Sequence, residues 1–120
     1  MMDKKLLGAW GESLAAADYR KDGYEVAAAH YRTRQGEIDL VVHKGGQYVF
    51  VEVKTRTAGA IDAPRAFVTK AKQQRVLLAA QSFLQAHGLT EAAVRLDVAE
   101  VWVDSAGNPS VNRIENAFEA

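Results

Sequence analysis

Two apolar runs on either side of a glycine pair constrain the fold of this 120-residue chain most strongly. Residues 36–43 and 48–55 are rich in Val, Ile and Phe, and the Gly45-Gly46 pair between them is typical of a tight β-hairpin turn. A tight turn there pairs positions whose numbers sum to 91, whereas an odd loop length would shift this register. The hairpin therefore places Asp39 opposite Glu52.

The two faces of this hairpin differ in composition, because side chains alternate between faces along a strand. One face is wholly apolar and is predicted to be core: it carries Ile38, Leu40, Val42, Val49, Val51 and Val53. The other face gathers charges at one end and aromatic or apolar groups beyond: Glu37, Asp39, Glu52 and Lys54, then Val41, Phe50, His43 and Tyr48. We expect a charged patch on a sheet that is otherwise half-buried.

The rest of the pattern predicts helices and strands around the hairpin. An apolar stripe (Leu7, Trp10, Leu14 and Ala17) predicts a helix over about 4–21, and a second helix is expected over about 69–87. Further strands are predicted at 24–31, 94–103 and 111–114, with a loop at 57–68. The second helix forms a crossover long enough to make the fourth strand parallel to a neighbour.

Composition and charge exclude several classes of protein. The absence of cysteine excludes disulfide scaffolds, thiol catalysis and cysteine-bound zinc. No apolar run approaches the roughly 18 residues of a membrane span, and no signal-peptide pattern is visible, so a single cytoplasmic domain over residues 1–120 is expected. The net charge of 0 excludes a histone-like protein, yet residues 54–75 carry six basic side chains and one acid, which leaves room for a local basic patch.

The pair Asp39 and Glu52 is the most informative feature for function. Directly opposed residues have Cβ atoms about 4.5–5.5 Å apart, where like charges destabilise a sheet. A divalent cation such as Mg²⁺ would relieve this repulsion, and Lys54 follows on the same face, where it could orient a water or stabilise a phosphate. The alternative is an exposed face with ordinary ion pairs worth about 0–1 kcal/mol, and the hairpin geometry alone leaves the two readings equally open.

These residues resemble a known superfamily. Residues 36–40 and 50–56 (GEIDL and FVEVKTR) look like the Asp…Glu-x-Lys core of the PD-(D/E)XK, restriction-endonuclease-like superfamily, although Ile38 stands where its name has Pro. More narrowly, the chain resembles the YraN family of small bacterial proteins over nearly its whole length. The further matching segments are Gly8-x-x-Gly11-Glu12, Gly23-Tyr24, Lys72-Gln73, Arg95-Leu96-Asp97-Val98 and Asn116-Ala117-Phe118.

The resemblance implies an αβββαβ fold in the α/β class, a mixed sheet flanked by helices as in archaeal Holliday-junction resolvases. By position, Asp39, Glu52 and the backbone carbonyl of Val53 would hold Mg²⁺ or Mn²⁺. Glu12 would be the helix-borne acid that helps to bind the metal, and Lys54 would be the catalytic lysine. A homodimer is expected by the same analogy.

The basic block offers candidate contacts to nucleic acid. Arg56, Lys70, Lys72 and Arg75 would serve as phosphate contacts beside a metal patch, although a solvated helix face would also account for them. No helix-turn-helix, zinc finger or Gly-rich phosphate loop is visible. The predicted function is a metal-dependent DNA endonuclease, with branched DNA as a candidate substrate. The alternatives are a non-catalytic adaptor that binds nucleic acid or protein, and a hydrolase of another phosphate ester.

Overall fold

The computed structural model describes residues 4–57 and 69–118. Its elements, in chain order, are α1 (Lys4–Lys21), β1 (Glu25–Arg32), β2 (Glu37–Lys44), β3 (Gln47–Thr57), α2 (Lys70–Ala86), β4 (Ala93–Val103) and β5 (Pro109–Ile114). The αβββαβ order expected from the sequence is confirmed, and the strand predicted at 111–114 is present as β5, which begins at Pro109. The loop predicted over 57–68 lies outside the described residues, except that Thr57 is the last residue of β3.

The five strands form one mixed sheet in sequential order, β1 to β5. The β1–β2, β2–β3 and β4–β5 pairs are antiparallel, whereas β3 and β4 run parallel. This is the parallel pair that the α2 crossover predicted, and the arrangement is compatible with a restriction-endonuclease-like core. No helix in 4–57 or 69–118 is long and apolar enough to cross a membrane.

The β2–β3 hairpin has the predicted register. Gly45 and Gly46 have φ angles of +57° and +84°, which a two-residue turn of type I′ requires and which glycine adopts without strain. Paired positions then run from Lys44 with Gln47 to Leu40 with Val51, and each pair sums to 91. The ladder stops one position short of the acids.

Each face of the sheet is covered by a helix. On one face α1 packs against β2, β3 and β4; the buried residues there are Ala15, Ala16, Tyr19, Leu40, Val42, Val49, Val51, Ala99 and Val101. On the other face α2 contributes Val76, Ala79, Ala80 and Phe83 over Val41, Phe50, Leu96 and Val98. The sheet is therefore buried on both faces at its centre, not half-buried as its charged patch suggested.

Ile38 departs from the predicted alternation. It packs with Val41 beneath α2, although a strict period of two would place it with Leu40 under α1. The paired strand β1 shows the same irregularity, because Ala28 and Tyr31 both pack against the α2 cluster and His30 between them has a φ of +52°. Positive φ is uncommon outside glycine and marks an irregular backbone at His30. The regular alternation of side chains between the two faces is therefore interrupted in both β1 and β2, at the same level of the sheet.

The apolar stripe predicted for α1 is wrong in part. The helix buries Ala15, Ala16 and Tyr19, whereas Ala17 is exposed. Small residues let α1 approach the sheet closely, and a Cβ at Gly11 would collide with Thr55 Oγ1 of β3. The close approach of α1 to β3 at Gly11 therefore fixes the position of the neighbouring residue, Glu12.

A fully buried carboxylate joins the two ends of the chain. Asp97 of β4 accepts hydrogen bonds from the Tyr19 hydroxyl (2.7 Å), from Arg95 Nε (2.9 Å) and from the backbone N–H of Asn116 (3.0 Å). Burial and the adjacent Asp97 charge raise the pKa of the Tyr19 hydroxyl, which therefore remains a donor. These contacts hold the Asn116–Phe118 segment, which follows β5, against the Arg95–Val98 segment of β4.

Candidate functional site

The two hairpin acids line a single cleft of about 510 Å³. The cleft lies between the β1–β2 connection, the start of β2, the middle of β3 and the first turns of α2. Its lining residues are Arg32, Thr33, Arg34, Gln35, Gly36, Glu37, Asp39, Glu52, Lys72, Arg75 and Val76. Asp39 and Glu52 therefore face the same space, which is the arrangement that the hairpin register implied.

Asp39 is held by the backbone of the neighbouring strand. Its Oδ2 accepts a hydrogen bond of 2.9 Å from the N–H of Val53. This bond takes the place of the next rung of the β2–β3 ladder and fixes the carboxylate between the strands. Within the described part of the chain, Oδ1 of Asp39 accepts no hydrogen bond and can serve a ligand. The metal-binding role predicted for the Val53 carbonyl stays a prediction.

Glu52 is a buried carboxylate with a cationic partner. Only 1% of it is exposed, and Lys72 Nζ lies 2.9 Å from its Oε2. Burial raises the pKa of Glu52 to about 7, and the negative charge of Asp39 adds to this rise, while the ammonium groups of Lys72 and Lys54 oppose it. The ionised form of Glu52 is thus disfavoured by its burial and favoured by the positive charges beside it.

The two lysines at this carboxylate differ in electrostatic character. Burial lowers the pKa of Lys54, and the neighbouring ammonium of Lys72 lowers it further. Burial also acts to lower the pKa of Lys72, but the contact with Glu52 outweighs it, so that its pKa is raised. Lys72 is therefore the group that retains its positive charge, whereas Lys54 gives up a proton more readily than an exposed lysine does.

Glu12 approaches the acids from the α1 side of the sheet. Its Oε1 lies 2.5 Å from Nε2 of His30. Burial raises the pKa of Glu12, and the charge of Asp39 raises it further, so the helix acid lies within electrostatic range of the hairpin. Glu12 nevertheless lines a separate hollow, with His30 and Leu40, and not the cleft of Glu52.

His30 is a contact that sequence reasoning missed. It shows no ligand spacing to other metal-type residues along the chain. In the fold it bonds to Glu12, and its Nδ1 lies 3.8 Å from Glu37 Oε1. The only signal was its place on β1. It lies between Ala29 and Tyr31, and the β2 residues that pair with these two lie on either side of Asp39. Reading that signal requires the β1–β2 register in advance.

The donor set fits a divalent cation bound by two carboxylates. No group of three or more His, Asp or Glu side chains in residues 4–57 and 69–118 is arranged as a metal site. Mg²⁺, however, is commonly bound through one or two carboxylates and completed by water and substrate phosphates. Asp39 and Glu52 meet that requirement, and the buried charge of Glu52 already draws in a cation, the ammonium of Lys72.

The predicted phosphate contacts are separated by the fold. Lys72 and Arg75 line the cleft, with Lys72 inside the acidic site itself. Lys70 is exposed on the first turn of α2, and Arg56 is half-buried with Nη1 donating to the Thr55 carbonyl (3.2 Å); neither lines the cleft. Two arginines that the sequence analysis did not single out, Arg32 and Arg34, form its opposite wall.

Comparison with other proteins gives a consistent match. The model of "Uncharacterised protein family UPF0102" matches residues 11–101, which include every acid and lysine of the site. A UPF0102 protein of Geobacter sulfurreducens is 38% identical over 115 residues, covering 96% of this chain and 90% of the relative. Those of Anaeromyxobacter dehalogenans and Symbiobacterium thermophilum are each 40% identical, covering 97% and 95% of this chain and 86% and 97% of the relative.

Proposed function

The chain belongs to the UPF0102 family, which is the YraN family, and we propose that it is a metal-dependent DNA endonuclease. The observation that carries this proposal is the meeting of Asp39 and Glu52 in one cleft, with Lys72 paired to the buried acid and Lys54 within electrostatic range of it. A carboxylate pair and adjacent ammonium groups are the groups that phosphodiester hydrolysis uses to hold a cation and to stabilise charge on phosphate. Branched DNA is the candidate substrate.

In this proposal, Asp39 and Glu52 hold Mg²⁺ or Mn²⁺. The cation supplies Lewis-acid stabilisation of the charge that develops on the phosphate. Glu12 and the carbonyl of Val53 are the further ligands implied by the family resemblance, and Glu12 is within electrostatic range of Asp39. The carboxylates therefore determine where the reacting phosphate is held.

Lys54 and Lys72 take different parts in the proposed hydrolysis. Lys54, whose pKa is lowered by burial and by Lys72, accepts a proton from the attacking water as the water oxygen bonds to phosphorus. The bond from phosphorus to the leaving oxygen breaks, and that oxygen takes up a proton from solvent. Lys72 retains its charge beside Glu52 and stabilises the phosphate. Arg56, Lys70 and Arg75 are proposed contacts to backbone phosphates, which position a strand without reading its sequence.

One observation favours a second candidate function. The ion pair between Lys72 and Glu52 neutralises the buried acid without any metal. A domain that keeps this fold and this pair could bind nucleic acid or a protein partner as a non-catalytic adaptor. Homodimerisation, expected by analogy with resolvases, stays a prediction that sedimentation equilibrium would test.

A cleavage panel separates the two candidates. Purified protein is incubated with linear, flapped and four-way DNA in Mg²⁺, in Mn²⁺ and in EDTA, alongside an active resolvase. The proposal expects metal-dependent cleavage that Asp39→Asn abolishes, while Glu25→Gln, which removes an exposed acid on β1, leaves it intact. Absence of any cleavage, together with no heat of Mn²⁺ binding in calorimetry, would exclude the nuclease and favour the adaptor.

A further inference from the structure

The cleft has a basic wall on each side of its acids. One wall is the β1–β2 connection, which brings Arg32 and Arg34, and the other is α2, which brings Lys72 and Arg75. Against these four cations stand three carboxylates, those of Glu37, Asp39 and Glu52. Glu52 is buried and Asp39 is half-buried, whereas Glu37 is exposed together with Arg32, Arg34 and Arg75, so the exposed part of the cleft carries the excess of positive charge.

Two guanidinium groups that line the cleft form no ion pair within the described part of the chain. Lys72 is paired with Glu52 (2.9 Å), and Arg32 Nε lies 3.3 Å from Glu37 Oε2. Arg34 and Arg75 are both exposed, and neither forms an ion pair with any residue in the described ranges. Guanidinium groups bind phosphate through paired N–H donors, so these two arginines are suited to an anionic ligand that enters the cleft.

The two walls are held in fixed contact. Thr33 Oγ1 accepts hydrogen bonds from the N–H groups of Gln35 (3.2 Å) and Gly36 (3.1 Å), which closes the connection into a tight turn. Gly36 lies so close to α2 that a Cβ there would collide with the backbone oxygen of Arg75. The backbone positions of the two walls are therefore set before any ligand binds, and binding has to order only side chains.

We propose that Arg34 and Arg75 bind two backbone phosphates of a nucleic-acid strand, one from each wall, on either side of the phosphodiester that faces Asp39 and Glu52. The ligand is a strand with consecutive phosphates, because each guanidinium takes one phosphate and the phosphodiester between them faces the acids, whereas a mononucleotide or another small ester does not supply flanking phosphodiesters on both sides. The position of the scissile bond rests on the proposed function, whereas the binding itself needs no metal. Phosphate contacts of this kind carry no sequence preference.

The binding test measures fluorescence anisotropy of labelled oligonucleotides in EDTA over a range of salt concentrations. Single-stranded DNA, duplex DNA and single-stranded RNA are separate arms, which identify the source of the phosphates. The double variant Arg34→Gln/Arg75→Gln is compared with Lys5→Gln/Arg20→Gln, which removes the same charge from exposed positions of α1 on the opposite face. Circular dichroism verifies that both variants are folded.

The expected result is a loss of about tenfold in affinity for the cleft variant. The slope of log K against log salt should fall by about 1.8 for duplex DNA and by about 1.4 for a single strand, since each phosphate contact contributes about 0.9 in a duplex and about 0.7 in a single strand. The α1 control should keep the wild-type slope. Equal losses in the two variants, or an unchanged slope in the cleft variant, would overturn the inference.

Cleavage kinetics keep this inference separable from the proposed function. With Mg²⁺, the cleft variant should raise KM for an oligonucleotide about tenfold and leave kcat unchanged, since the arginines bind the strand and do not touch the reacting atoms. Binding through the arginines without any cleavage would reject the nuclease and keep the inference. Cleavage with an unchanged KM in the cleft variant would keep the nuclease and reject the inference.

Discussion

Lys72 Nζ lies 2.9 Å from Oε2 of Glu52, a residue of which 1% is exposed. The pair joins the first turn of α2 to the middle of β3, so these two consecutive elements share one charge-neutral contact. The same ammonium supplies positive charge to the acid that the proposed cation would also contact. This contact links the stability of the fold to the chemistry of the site.

Removal of the Lys72 ammonium should destabilise the protein. Lys72→Met leaves the Glu52 carboxylate buried without its partner, and we expect a loss of about 2–4 kcal/mol in the free energy of unfolding at pH 8. Urea denaturation measures it. Lys70→Met, an exposed change on the same helix turn, should stay within about 0.5 kcal/mol. If Lys72→Met/Glu52→Gln is no more stable than Lys72→Met, the stated cause is wrong.

Stability of the metal-free protein should fall as the pH rises from about 4.5 to 7. The pKa of Glu52 is raised from 4.5 to about 7, so the folded state binds more protons than the unfolded state in this window. The stability from this group is fully present below pH 4.5 and is lost as the pH passes 7, a change of about 3 kcal/mol. Denaturation in EDTA at several pH values measures the slope.

Glu52→Gln should remove most of this slope. Glu12, whose pKa is raised chiefly by burial, contributes in the same direction and leaves a smaller remainder. Glu25→Gln, at an exposed acid, serves as the control and should retain the wild-type slope. A slope that Glu52→Gln leaves unchanged would show that another group titrates in this window.

Mn²⁺ should stabilise the wild-type protein through Asp39 and Glu52. A ligand that binds only the folded state at 100 times its Kd adds about 2.7 kcal/mol to the free energy of unfolding. Thermal denaturation at rising Mn²⁺ concentration should show an increasing Tm for the wild type and for Glu25→Gln. The Tm of Asp39→Asn should stay unchanged. An equal rise in Asp39→Asn would place the cation elsewhere.

Two glycines of α1 should respond oppositely to alanine. A Cβ at Gly11 meets Thr55 Oγ1 and forces the helix away from β3, which should cost about 1–3 kcal/mol. At Gly8 an added methyl group would meet no atom within 4 Å, and Gly8→Ala should stabilise the helix by up to about 1 kcal/mol. Chemical denaturation of both variants is the measurement, and equal effects would contradict the close approach of α1 at Gly11.

Asp97 should be the acid whose neutralisation costs most stability away from the cleft. Asp97→Asn removes the charge that Arg95 contacts and cannot accept from all its donors, so a loss of about 2–4 kcal/mol is expected. Glu91→Gln, an exposed acid, is the control and should change stability by less than about 0.5 kcal/mol. A loss under about 1 kcal/mol for Asp97→Asn, measured by urea denaturation, would contradict this role.

The sequence by itself determined the element order and the hairpin. The periods of apolar residues, Gly45-Gly46 and the crossover length are local properties, and local geometry is enough to place β2 against β3 with pairs that sum to 91. The meeting of Asp39 and Glu52 in one cleft follows from that register. It could be predicted because it needs only a turn of known geometry between two strands.

Only the tertiary structure decided which groups surround these acids. Lys72 reaches Glu52, His30 binds Glu12, and Ile38 changes face, each through the docking of a helix on the sheet or an irregular φ in a neighbouring strand. Charge pairs across elements depend on helix rotation and on backbone irregularities of a single residue. These are set by the packing of the whole core, which no spacing along the chain encodes.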